Sequence, residues 1–132
     1  VTSPVVTRLG SGGPWEARFG YSRVVRVGNL AITAGCTSTV DGRVAHVGDA
    51  GAQTAQALRI GLDALAEVGV EPADVIRTRM YVTDRSHADE VGRAHNAVFG
   101  AVRPVATMVV VAGLIDPEHL VEVELEAYLP DR

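Results

Sequence analysis

Hydrophobic and polar residues along the chain follow two periods. Alternation at period two runs through Val5–Leu9, Tyr21–Val27, Leu30–Ala34, Ile76–Val82, Val105–Val111 and Leu120–Leu129, so each of these segments predicts a strand. In the second, Val25 and Val27 face one way and Val24 and Arg26 the other. In the fourth, Ile76, Thr78, Met80 and Val82 alternate with Arg77, Arg79 and Tyr81. In the last, Val121, Val123, Leu125 and Ala127 alternate with Glu122, Glu124 and Glu126.

Between Asp49 and Val68 the period lengthens. Ala55, Leu58, Leu62 and Leu65 fall three and four apart, with Gln53, Gln56, Arg59, Asp63 and Glu67 on other faces, which predicts an amphipathic helix stopped by Gly69 before Pro72. Ser86 with Asp89 resembles a capping box, and Val91, Ala94, His95 and Val98 carry a second helix to Phe99-Gly100. Turn chemistry separates the segments at Gly28-Asn29, Asp41-Gly42, Arg103-Pro104 and Asp116-Pro117. Gly10–Pro14 reads as a loop. It lacks the Lys-Ser/Thr ending of a phosphate-binding loop, and no helical pattern is read after it.

The order β-β-β-α-β-α-β-β, with two helices among many strands, predicts an α+β fold: a single mixed sheet with both helices on one face, in one domain over residues 1–132. The uncovered face must also be buried. Met108, Val109, Val110 and Val111 are apolar in a row, so copies of the chain are expected to cover it, giving a homo-oligomer.

Composition narrows the chemistry. At 132 residues and 47% hydrophobic, the chain suffices for one core, and a formal charge of −4 with few aromatics offers no basic surface for a phosphate backbone. Nucleic acid is therefore not an expected partner. No apolar run approaches the ~20 residues that cross a bilayer and no signal-peptide pattern is read, so no membrane association and a cytoplasmic location are expected. Cys36 is the only cysteine, which fits a reducing compartment. His46, His87, His95 and His119 are scattered without metal-ligand spacing, so neither a metal nor another cofactor is expected.

Gly20-Tyr21-Ser22 with Val25 to Leu30, Ala34-Gly35, Ile76-Arg77-Thr78 through Val82-Thr83-Asp84, Phe99-Gly100, Arg103-Pro104 and Leu120 to Glu124 together resemble the Rid family of reactive-intermediate deaminases, also called the YjgF family. The likeness spans nearly the whole chain and rests on the order and spacing of these pieces. It implies a chorismate-mutase-like α+β domain that assembles as a homotrimer with small-molecule pockets between subunits. In deaminating members the strand after the proline carries Arg-Ser-Cys, and the arginine clamps a 2-imino acid carboxylate. Here those positions hold Ala106, Thr107 and Met108. A hydrogen bond to a charged group contributes about 1.5–3 kcal/mol, none of which alanine supplies.

The position of the family's water-positioning carboxylate is retained as Glu122. The resemblance also directs Tyr21 and the Gly35 N–H toward the ligand. Arg23, on the face of Tyr21, is a candidate replacement for the missing clamp, and Thr107 a candidate hydroxyl donor. Cys36 stands where many relatives carry Gln and also suits an inert buried position. A structural reading competes at each site: Glu122, Glu124 and Glu126 can form a solvated face paired with Arg77 and Arg79, and His95 can be packed and hydrogen-bonded. Trp15 either walls the pocket or covers the core. Two functional classes follow. One is a deaminase of a small imine or enamine with specificity moved off 2-imino acids; the other is a non-catalytic small-molecule-binding or regulatory trimer.

Overall fold

The computed structural model describes residues 3–131. Six strands form one sheet: β1 (Val6–Leu9), β2 (Val24–Val27), β3 (Leu30–Thr33), β6 (Val75–Val82), β7 (Val105–Val110) and β8 (Val121–Tyr128). Their order is β1-β2-β3-β8-β6-β7; β6 and β7 are parallel and every other neighbour pair is antiparallel. Two longer helices, α2 (Ala50–Glu67) and α3 (Ala88–Phe99), pack together, and α2 lies on β8 and β3. The α+β reading with both long helices on one side therefore holds.

Burial explains why this face is the core. Val121, Val123, Leu125 and Ala127 point from β8 toward the helices with Thr78, Met80 and Val82 of β6, against Leu58, Leu65, Val91 and Phe99. Truncating one such large side chain costs about 2–5 kcal/mol. Asp49 caps α2, accepting a hydrogen bond from the Ala52 N–H at 2.9 Å. At the far end Arg26 Nη1 donates to the Val68 carbonyl at 2.6 Å, so a β2 cation holds the helix exit.

Several sequence expectations are corrected. A third helix, α1 (Pro14–Phe19), follows the Gly10–Pro14 loop; Pro14 opens it and Gly20, at φ 78°, closes it in the left-handed region. That pairing of starting proline and closing glycine is a recognisable helix signature, too short here to show a period. Tyr21 and Arg23 precede β2 rather than lying in it. Asp41-Gly42 turns a separate ribbon of β4 (Thr39–Val40) and β5 (Arg43–Val44).

On α2, Ala55 is exposed and Gln53 is fully buried, the reverse of the expected faces. Gln53 is buried because its amide bridges loops: Nε2 donates to the carbonyls of His46 and Glu118, and Oε1 accepts from the Leu120 N–H at 2.8 Å. Ile76 is 45% exposed because a bulge between Val75 and Arg77 turns it off the buried face. Ser86 does not cap α3. Asp84 instead accepts from the Ser86 N–H in a preceding 3₁₀ turn.

Candidate functional site

The chain leaving β3 makes an isolated bridge to β8: the Cys36 N–H donates to the Val123 carbonyl at 2.7 Å, and the Val123 N–H returns a bond at 2.9 Å. This pins Gly35 beside Glu122. A Cβ at position 35 would overlap the Glu122 carboxylate, so the close approach, rather than a turn, favours glycine, and a larger residue would force Glu122 to shift. Above these residues opens a cleft of about 440 Å³. Tyr21, Arg23, Gly35 and Glu122, four of the residues singled out from sequence, all line it.

Arg23 forms the polar floor. Its Nη1 donates to the Gly35 carbonyl at 2.5 Å, its Nε to Glu16 Oε2 at 3.2 Å, and the guanidinium lies 5.6 Å from the Tyr21 ring centroid. Glu16 is buried and accepts from the Ser11 N–H at 2.8 Å and from the Ser11 hydroxyl. Burial opposes ionisation of Glu16, but the Ser11 hydrogen bonds and Arg23 together hold its carboxyl below the usual range.

Glu122 stands in a different environment. Burial raises its carboxyl above the usual range, the neighbouring Glu124 charge adds to this, and Arg23 opposes both. Among the described residues no hydrogen-bond donor reaches it, and the Gly35 N–H beside it is also unbonded. A carboxylate with a raised pKa and open lone pairs can take a proton from a bound water and return it. Glu124 and Glu126 are unlike it: Tyr81 donates its hydroxyl to Glu124, and Arg77 lies 4.0 Å from Glu126.

Cys36 is fully buried beneath the floor, where burial pushes its thiol up despite Arg23 at 3.8 Å. This is the profile of an inert thiol. His95 is packed against Phe99 and 2.8 Å from the Thr78 hydroxyl, away from the cleft. Ala106, Thr107 and Met108 lie on β7, the edge strand, and do not line this cleft within one chain. Register splits them: Ala106 and Met108 share the face of Thr78 and Met80, while Thr107 shares that of Arg79.

Trp15, left between pocket wall and core cover by the sequence, lines the cleft and stacks on Phe19 of α1 at 5.2 Å between centroids. The cleft also contains residues that sequence reasoning passed over, among them Phe19 and Ile115. His119, nearly buried, places Nε2 3.1 Å from the Thr39 hydroxyl. The Pro14/Gly20 signature could have located α1; nothing in the spacing of His119 points to the cleft. No metal-binding group of His, Cys, Asp and Glu occurs among the described residues, and no helix there is long and apolar enough to cross a membrane.

Comparison with known proteins agrees with this geometry. Residues 14–129 match the family model described as Endoribonuclease L-PSP. An uncharacterised protein of Streptomyces coelicolor is 44% identical over 128 residues, spanning 97% of this chain and 96% of its own. The crystal structure of a member of the YjgF/YER057c/UK114 family from Mycobacterium tuberculosis is 46% identical, with TM-score 0.86 over 95% of this chain and 100% of that one. A Rid-family protein of unknown function from Yersinia pestis, at 20% identity, shares the fold at TM-score 0.84 over 95% of this chain and 100% of its own.

Proposed function

The chain belongs to the Endoribonuclease L-PSP family, also termed YjgF/YER057c/UK114, and on that premise we propose that it is a hydrolase deaminating a small reactive imine or enamine. The observation that carries this reading is the Glu122 carboxylate, half-buried, raised in pKa and unbonded, beside the free N–H of Gly35. In the reaction, water attacks the carbon of a protonated imine while its proton passes to Glu122, forming a carbinolamine. Glu122 then protonates the nitrogen, the C–N bond breaks to release ammonia, and the oxygen's electrons close the carbonyl as its proton passes to that ammonia. The balance is iminium plus water to carbonyl plus ammonium. Glu122 serves as base and then as acid, a role its raised pKa suits.

The substrate is displaced from 2-imino acids because Ala106 carries no guanidinium. The protein works as a homotrimer in this reading, with β7 of one copy approaching the cleft of the next. Support comes from the exposed apolar edge of β7, where Val105 is 63% and Val110 53% exposed. A monomeric mass by light scattering at micromolar concentration would refute the assembly. For the activity, purified protein is mixed with freshly generated imines, one set bearing a 2-carboxylate and one neutral, and ammonia release is followed. Turnover favouring neutral imines and lost in Glu122→Gln is expected; equal turnover by a folded Glu122→Gln protein refutes the mechanism.

The second reading is a non-catalytic small-molecule-binding or regulatory trimer. The exchange of both Arg and Cys positions for Ala106 and Met108 favours it. Thermal stabilisation by metabolites without ammonia release from any imine would select it.

A further inference from the structure

The cleft contains a charge arrangement that water activation does not require. Arg23, whose side chain is 13% exposed, is the one guanidinium lining it among the described residues, and Glu16 lies behind it at 3.2 Å with a side chain only 7% exposed. Two Ser11 donors keep Glu16 ionised, so the Arg23 charge is matched before any ligand arrives. Nη1 is committed to the Gly35 carbonyl, which makes Arg23 a prop under the glycine that touches Glu122. Around the same cavity stand Glu122 and Asp116, while His119 is partnered by Thr39. Among the described residues, Arg23 is thus the one cation lining the cleft, set against Glu16, Glu122 and Asp116, while Arg18 lies over the Trp15 and Phe19 rings without lining it. Thr37 and Thr39 add hydroxyls, and the larger part of the remaining walls is apolar, dominated by Trp15, Phe19, Tyr21 and Ile115.

We propose that the buried Glu16–Arg23 pair sets the charge preference of the cleft, so that it takes uncharged ligands bearing an aromatic or apolar substituent and rejects the corresponding carboxylates. This rests on the reading of the cleft as the substrate site, though not on turnover. A carboxylate entering here gives up water, meets an arginine already balanced by Glu16, and is repelled by Glu122 and Asp116. An amide of the same shape loses far less hydration, and its ring has aromatic faces to stack on. Glu16 acts only through Arg23 and is a positioning residue. Its effect on ligand charge is separate from its effect on stability.

The test uses two non-reacting isosteres, phenylacetamide and phenylacetate, titrated into the full-length protein by calorimetry at pH 8. Wild-type protein is expected to bind phenylacetamide about tenfold or more tighter than phenylacetate. Glu16→Gln keeps an acceptor for Ser11 but releases the Arg23 charge, so phenylacetate should gain about tenfold while phenylacetamide changes little. The double variant Glu16→Gln/Arg23→Gln should lose that gain. The proposal is overturned if wild-type protein binds phenylacetate as tightly or takes neither probe, or if a folded Glu16→Gln protein keeps the wild-type ratio. The wild-type ratio alone decides should the variant fail to fold. Because no ammonia is measured, a protein without deaminase activity can still pass, and an active one can still fail.

Discussion

The cleft beside β3 and β8 and the edge strand β7 belong to one sheet but are built on opposite plans. In the cleft, charge is arranged to the last partner: Ser11 holds Glu16, Glu16 holds Arg23, Arg23 holds Gly35, and Gly35 leaves room for the single unbonded carboxylate of Glu122. Strand β7 has no charged side chain at all, and Val105, Val109 and Val110 lie 43–63% exposed along an unpaired edge. Soluble proteins seldom leave such an edge bare. The contrast teaches that one chain carries a cleft floor with almost every charge partnered together with a strand that needs covering, as a site shared between copies would require.

The sharpest way to break this comparison is to remove the unbonded carboxylate. Glu122→Gln should lower ammonia release by about 100-fold or more, the usual share of a general acid–base group. Glu124→Gln, on the same strand and face but bonded to Tyr81, should leave turnover within a few-fold of wild type. Equal losses from the two would mean that the strand face, not the cleft, determines activity.

Next in size is restoring what β7 lacks. Ala106 is exposed on the single chain, so Ala106→Arg should change the stability of one copy by no more than about 0.5 kcal/mol. If β7 of a neighbouring copy meets the cleft, the new guanidinium should raise turnover of 2-iminopropanoate by roughly 10- to 100-fold, as a charged hydrogen bond allows. Unchanged turnover in a protein whose solution mass matches that of wild type would separate the edge strand from the site.

A smaller effect tests the close approach at the floor. Gly35→Ala pushes a methyl group into the Glu122 carboxylate and should cost about 1–3 kcal/mol, read from the denaturation midpoint. Thr107→Ala on β7 should stay within about 0.5 kcal/mol. An unaffected Gly35→Ala protein would mean that Glu122 is free to move aside.

What the sequence made legible follows from the length of each signal. The strands and both long helices repeat their period often enough to be read, and Glu122, Gly35 and Tyr21 stand in motifs of fixed order. The helix α1 spans only six residues, less than two turns, so no period revealed it, and Phe19, which lines the cleft, and Glu16, which pairs with Arg23 there, were not singled out. Gln53 falls off the apolar stripe in the sequence because hydropathy cannot anticipate an amide that bonds three loop groups. Arg23 was visible as a candidate. Its partner Glu16 was not, since the pair forms only when α1 folds back over the loop.

The smallest effect concerns pH, and it separates two carboxylates of the same region by sign. Glu122 has a raised pKa, so between the ordinary carboxylate value and that raised value the folded protein retains a proton the unfolded chain has lost. Its contribution to stability is therefore full at low pH and lost as pH rises through the raised value. Glu16 has a lowered pKa, and its contribution is present above the ordinary value and lost as pH falls through the lowered one. Melting temperatures measured from pH 3 to pH 8 should thus show Glu122→Gln gaining on wild type as pH rises through and above the carboxylate range, then holding a constant lead. Glu16→Gln should fall behind earlier in the rise, between the lowered and the ordinary carboxylate value, and then stay behind. Two curves of the same sign would mean that Glu122 is bonded in solution as Glu16 is, and the difference between a tied carboxylate and a free one, on which the proposed chemistry depends, would be gone.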